Sequence, residues 1–100
     1  KLSCPVDFPL EGLDLAPWCA AGAAPAQVYD LFAVVNHLGG FGGGHYTACA
    51  RPSCAVEGRD PEAWHHFNDG LCRPIESGQV ASREAYVLFY RRREPGLPAT

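Results

Sequence analysis

Apolar and polar positions change period several times along the chain, and each change predicts an element. Val28 to His37 (VYDLFAVVNH) is almost unbroken β-branched and aromatic sequence, apolar on both faces apart from Asp30. That pattern predicts a strand buried on both sides rather than an alternating edge. His45 to Arg51 (HYTACAR) alternates, and predicts a strand paired antiparallel with the first across the glycine-rich stretch between them. Ala63 to Asn68 (AWHHFN) reads as a third strand, stopped by the turn signal Asn68-Asp69-Gly70. Leu71 to Ile75 reads as a short strand, Glu76 to Ser82 as a turn or brief helix, and Glu84 to Arg92 (EAYVLFYRR) as a central strand. Trp64 and Phe67 are read as core.

The flanks are weaker. Val6 to Leu10 is expected to be a short strand interrupted by prolines, continued by Gly12 to Leu15 and turned at Pro17-Trp18. Ala20 to Gln27 and Pro52 to Pro61 read as surface loops, and Glu94 to Pro98 ends order. No internal repeat is found. The fold class expected is mainly antiparallel β with little helix: one unit over 1–93 and a disordered tail over 94–100.

Composition narrows the class. The 100 residues are 47% hydrophobic, too apolar for a disordered tail and enough for a small globular unit. A net charge of −3 does not suggest nucleic-acid or membrane-surface binding, and Arg91-Arg92-Arg93 reads as a solvated strand end. Five cysteines, an odd number with no C-x-x-C pair and no signal peptide, favour reduced thiols in a cytosolic setting over a disulfide scaffold. No apolar run approaches the ~20 residues that span a bilayer. The first residue is Lys1 rather than an initiator methionine, which favours a piece of a longer protein.

The chemistry concentrates in Gly39-Gly40-Phe41-Gly42-Gly43-Gly44-His45-Tyr46. Glycines let a chain turn sharply or let another backbone approach closely. A histidine at the end of such a track has an unperturbed pKa near neutrality and suits proton transfer. The stretch is read as an active-site wall: a glycine loop over a substrate channel, then the general base. A solvent-facing histidine on a glycine-rich hairpin is the plainer alternative. A P-loop would need Lys-Ser/Thr where His45-Tyr46 stands, and G-x-G-x-x-G counted from Gly40 would put its last glycine at His45. No metal site is expected, since His65 and His66 are adjacent and face opposite ways on a strand. Cys49 lies inside a strand and Cys72 follows a turn, so neither has the setting of an activated nucleophile.

Three separated pieces then occur in order. Tyr29-Asp30-Leu31 runs through Asn36-His37 to Gly43-Gly44-His45-Tyr46-Thr47-Ala48; Trp64-His65-His66-Phe67-Asn68-Asp69 follows; Ala85-Tyr86-Val87-Leu88-Phe89-Tyr90 closes the set. Together they resemble the C-terminal histidine box of the ubiquitin-specific proteases, papain-like cysteine deubiquitinases, and Phe8-Pro9-Leu10 with Leu13-Asp14-Leu15 resembles the segment before it. The resemblance implies the C-terminal sheet portion of a papain-like α+β fold. It implies that His45 is the catalytic base, that Asn68 orients it, and that Asp69 adds charge at longer range or a secondary polar contact. It also implies that Gly42, Gly43 and Gly44, with Tyr46, border the channel for ubiquitin's C-terminal tail.

The family's cysteine box and zinc-binding fingers have no counterpart here, so the chain alone is expected to hydrolyse nothing. The expected activity of the whole protein is hydrolysis of isopeptide and peptide bonds after the C-terminal glycine of ubiquitin. The alternative is a catalytically inactive ubiquitin-binding or scaffold relative; Gly70, where the family usually has serine, and the His65-His66 pair are departures. Expected partners are ubiquitin and ubiquitinated proteins, with no nucleic acid, no cofactor and no membrane segment in this chain. The expected location is cytoplasmic, with any endoplasmic-reticulum attachment made through a segment outside the chain.

Overall fold

In the computed structural model, which describes residues 6–18, 27–39, 42–52 and 63–93, the long apolar run becomes the hub of a six-stranded sheet. It forms β2 (Val28–Leu38), where β-branched and aromatic side chains suit a pleated, half-buried surface. One edge of β2 is shared by β1 (Leu13–Asp14) and β3 (His45–Ala50); the other is taken by β6 (Ala85–Arg92). Beyond β3 lie β4 (Trp64–Asn68) and β5 (Leu71–Ile75), and every pairing is antiparallel. Among the described residues, helix is limited to 3₁₀ turns at Ala16–Trp18 and Ser77–Gln79. The second turn is closed by Glu76 N–H donating to the Gln79 side-chain carbonyl at 3.1 Å and Gln79 N–H to the Glu76 carbonyl at 2.9 Å. The mainly antiparallel, helix-poor architecture is as the sequence pattern predicts.

Four expectations are corrected. Val6 to Leu10 is not a strand: Pro9 has no N–H for a ladder, and the segment joins the sheet by one backbone bond, Leu31 N–H to the Leu10 carbonyl at 2.9 Å. Phe8 and Leu10 pack on the core instead, and the Tyr90 hydroxyl donates to the Pro9 carbonyl at 2.7 Å. The strand over Ala85–Arg92 is not central: among the described residues it pairs with β2 alone and leaves Tyr86, Val87 and Phe89 exposed. Phe67 is 42% exposed and lies outside the core, while Trp64 is buried as expected. Burial on both faces of β2 is likewise incomplete. Leu31, Val34, Asn36 and His37 are buried, whereas Phe32, Ala33 and Val35 are half-buried.

The core of Leu31, Val34, Cys49, Trp64 and Val80 sits on one face of the sheet, with Ile75, Leu88 and Tyr90 packed against it. Arg51 seals the junction where β2 changes partner. Its Nε donates to the Leu31 carbonyl at 2.9 Å, Nη2 reaches the Leu10 carbonyl at 3.4 Å, Nη1 pairs with Glu11 at 3.3 Å, and the guanidinium lies 5.0 Å from the Trp64 ring centre. Two register shifts separate β2 from β6, and the second leaves Tyr86 without an opposite residue. Most of the loop expected over 20–27, most of the insertion over 52–61, Gly40-Phe41, the tail over 94–100 and Cys4, Cys19 and Cys54 lie outside the described residues.

Asp30, the one charge in the apolar run, ties β2 to the residues that flank β1 and β6. Its carboxylate accepts Gly12 N–H at 3.0 Å and a two-point clasp from Arg93, Nη2 at 2.6 Å and Nε at 3.1 Å. The Arg93 hydrogen bond holds the Asp30 carboxyl below its ordinary value, with partial burial opposing. A carboxyl whose folded-state pKa is depressed contributes stability that is present above its unfolded pKa and lost as pH falls through the folded one. Asp30→Asn should therefore melt below the wild type at pH 7, and the gap should close as the pH drops below about 4. Thermal melts across that range check it; a gap independent of pH would remove the ion pair as its cause.

Candidate active site

The strand ends build the site. His45 opens β3 and Asn68 closes β4; these neighbours run antiparallel with Ala48 opposite Phe67, so both residues fall at one end of the sheet. His45 Nε2 meets Asn68 Oδ1 at 2.7 Å, and the amide oxygen can only accept, so Nε2 carries the proton. That bond fixes the tautomer and leaves Nδ1 as the acceptor for a proton from elsewhere. Asp69 stands in the two-residue turn between β4 and β5, with a left-handed φ of 52° that aspartate tolerates. Its Oδ2 is 4.0 Å from His45 Nε2 and its side chain is 83% exposed, a charge nearby rather than a hydrogen bond.

His45, Thr47 and Cys49 alternate onto one face of β3 and, with Asn36, His66 and Asn68, line an open cleft of about 350 Å³. Asn36 was not among the residues singled out for chemistry. Its signal in the sequence is a carboxamide directly after the apolar stretch over 31–35. It is 6% exposed, and its amide donates to Thr47 Oγ1 at 3.3 Å and to Cys49 Sγ at 3.8 Å, while Oδ1 has no protein partner among the described residues. Burial pushes the Cys49 thiol up, outweighing the Asn36 hydrogen bond, so Cys49 is not a poised thiolate. Among the described residues no group of three or more His, Cys, Asp or Glu is arranged to hold a metal. No helix there is long and apolar enough to cross a membrane.

The glycine stretch divides. Gly42 and Gly44 take left-handed φ of 83° and 118°, as does Gly39 at 102°. A Cβ on Gly42 or Gly43 would meet nothing within 4 Å, so these two are open to whatever approaches. A Cβ on Gly44 would collide with the Leu38 carbonyl and come 2.8 Å from His37 Nε2. Gly44 is thus required by packing, whatever else it borders. Tyr46, 57% exposed, points to the face opposite His45, against His37 with ring centres 4.7 Å apart.

An antiparallel sheet of this topology is shared with a known class of proteins. The sequence model of the ubiquitin carboxyl-terminal hydrolase family matches residues 1–90, and the chain belongs to that family. Rat ubiquitin carboxyl-terminal hydrolase 19 is 48% identical over 96 residues, covering 93% of this chain and 7% of that protein. Arabidopsis thaliana ubiquitin carboxyl-terminal hydrolase 10 is 39% identical over 92% of this chain and 9% of its own length. A solved yeast SAGA DUB module superposes with a TM-score of 0.74 at 31% identity, over 94% of this chain and 19% of the matched chain. The chain therefore spans under a tenth of the length of these curated relatives.

The geometry of the glycines is testable. Gly44→Ala combines a left-handed backbone with collisions and should destabilise by about 2 kcal/mol or more. Gly43→Ala should stay within about 0.5 kcal/mol of the wild type. Urea unfolding of the protein carrying each change measures both, and equal losses would refute the division.

Proposed function

We propose that this chain supplies the general base of a ubiquitin-specific cysteine protease that cleaves isopeptide and peptide bonds after the C-terminal glycine of ubiquitin. The observation that carries the reading is the 2.7 Å contact between His45 Nε2 and Asn68 Oδ1, in a chain of this family. With Nε2 held, Nδ1 takes the proton from a cysteine thiol supplied by a part of the protein outside this chain. The thiolate attacks the glycine carbonyl carbon. The imidazolium then protonates the departing lysine amine as the carbon–nitrogen bond breaks, leaving a thioester. A water gives a proton to the same nitrogen as its oxygen attacks the thioester carbonyl. The carbon–sulfur bond breaks, the sulfur takes that proton back from the imidazolium, and ubiquitin leaves as its carboxylate, the acid proton passing to solvent.

Asn68 orients the ring but brings no charge to the imidazolium. Asp69 supplies that charge from 4.0 Å in an exposed turn, where such a pair is worth about 1 kcal/mol. Gly42 and Gly43, open to approach, border the tail of ubiquitin, with Gly44 shaping the wall and Tyr46 flanking the tail from the face opposite His45. Ubiquitin and ubiquitinated proteins are the proposed partners, in the cytoplasm.

A ubiquitin C-terminal electrophile should label one cysteine of the full-length protein, and that cysteine should lie outside residues 1–100. No labelling would favour an inactive ubiquitin-binding relative. On a ubiquitin–fluorophore substrate, His45→Ala should abolish turnover and Asn68→Ala should lower it about 100-fold, with Asp69→Ala costing about fivefold. Full rates in Asn68→Ala with loss in Asp69→Ala would move the orienting role to Asp69.

A further inference from the structure

His45 has little to hold it in place from its own side. Its side chain is 45% exposed, its partner across β2 is Leu38 at the last rung of the ladder, and the residue before it is a glycine. A strand end of that kind frays unless something grips the glycine. The grip is visible: the backbone of Gly44 lies against the imidazole of His37, so close that a Cβ there would stand 2.8 Å from Nε2 and 3.1 Å from Cε1.

His37 is itself wedged. Its ring sits 4.7 Å from Tyr46 and 5.7 Å from Tyr86, the residue that the register shift in β6 leaves unpaired, and its backbone N–H donates to the Glu84 carbonyl at 2.9 Å. It is 8% exposed, yet it is absent from the Leu31–Val34 core, and both tyrosines that cover it are more than half exposed. Its burial thus comes from the rings of β3 and β6 and from Gly44, at the rim of the sheet, where packing contributes less to global stability than to local geometry.

We propose that His37 is a positioning residue for His45: a planar wedge joining β2, β3 and β6 that seats the Gly44 backbone and so sets where the His45 ring stands relative to Asn68. The proposal rests on His45 being the base of the reaction above. It assigns His37 no contact with substrate and no proton transfer. A displacement of about 1 Å at a reacting group costs on the order of 100-fold, so losing the wedge shows in turnover before it shows in unfolding.

The test uses the full-length protein, a ubiquitin–fluorophore substrate, melting temperature and histidine ring ¹⁵N spectra. His37→Ala should lower kcat about 10- to 100-fold with KM within about twofold. It should also replace the single Nε2–H signature of His45 by a mixture of tautomers. His37→Gln, whose carboxamide reaches where Nε2 stands, should recover kcat to within about threefold. If His37→Ala does not fold, Tyr86→Leu loosens the same wedge and should show the same split with a smaller loss. A raised KM at unchanged kcat would overturn the proposal by making His37 a substrate contact. So would unchanged kcat and His45 spectra, or equal losses of activity and melting temperature in the Ala and Gln variants. Should the wild type cleave nothing, the deubiquitinase reading fails separately, and the spectra still decide: persistence of the Nε2–H signature in His37→Ala overturns the wedge, and its loss supports it.

Discussion

Register between β2, β3 and β4 is the constraint on which this site depends. Leu38 lies opposite His45 and Ala48 opposite Phe67, and only in that alignment does the ring of His45 stand on the same face as the amide of Asn68. A slip of one residue on β3 would turn His45 to the face now held by Tyr46 and put the tyrosine in the cleft. The slip is opposed from the buried side. It would also expel Cys49, 2% exposed, from the core and break the Asn36–Thr47 contact. The His45–Asn68 pair is held in place by the same alternation that builds the core.

The two faces divide the labour. One carries the core at its middle and the polar cleft at its end, so the ring of His45 faces solvent while its strand is anchored a few residues away. The other carries His37, Tyr46 and Tyr86 beside Gly44, and it shapes the backbone path into the site. Within the cleft the chemistry is asymmetric. A neutral carboxamide touches the imidazole and sets its tautomer, while the carboxylate is held farther off in an exposed turn. Orientation and charge, which one aspartate would combine, are separated here into adjacent residues.

Much of this was readable in advance because it rests on local rules. β2, β3, β4 and β5 fall where period and turn signals put them, and Asn68-Asp69-Gly70 turns as its residue types require. The misreadings share one cause. Val6 to Leu10 and Glu84 to Arg92 are both apolar enough to be strands, and apolar content does not say which edge a segment finds. Leu10 makes one backbone bond to β2, and β6 takes the far side of that strand. Phe67 looked like core because an aromatic ring on a strand usually is, yet its face is half open.

By itself, then, the sequence determined the antiparallel class, the positions of β2 to β5 along the chain and the turn between β4 and β5, since propensity, alternation and turn chemistry act over a few positions. Only the tertiary structure decided that β2 is shared by three partners, that Gly44 answers to packing while Gly42 and Gly43 stand open, and that Asn36 and His37 flank the site from opposite faces. Those facts depend on pairings between residues far apart in the chain and on bulges that redirect single side chains. No short-range pattern encodes them, because the contacts that settle them exist only once the sheet has closed.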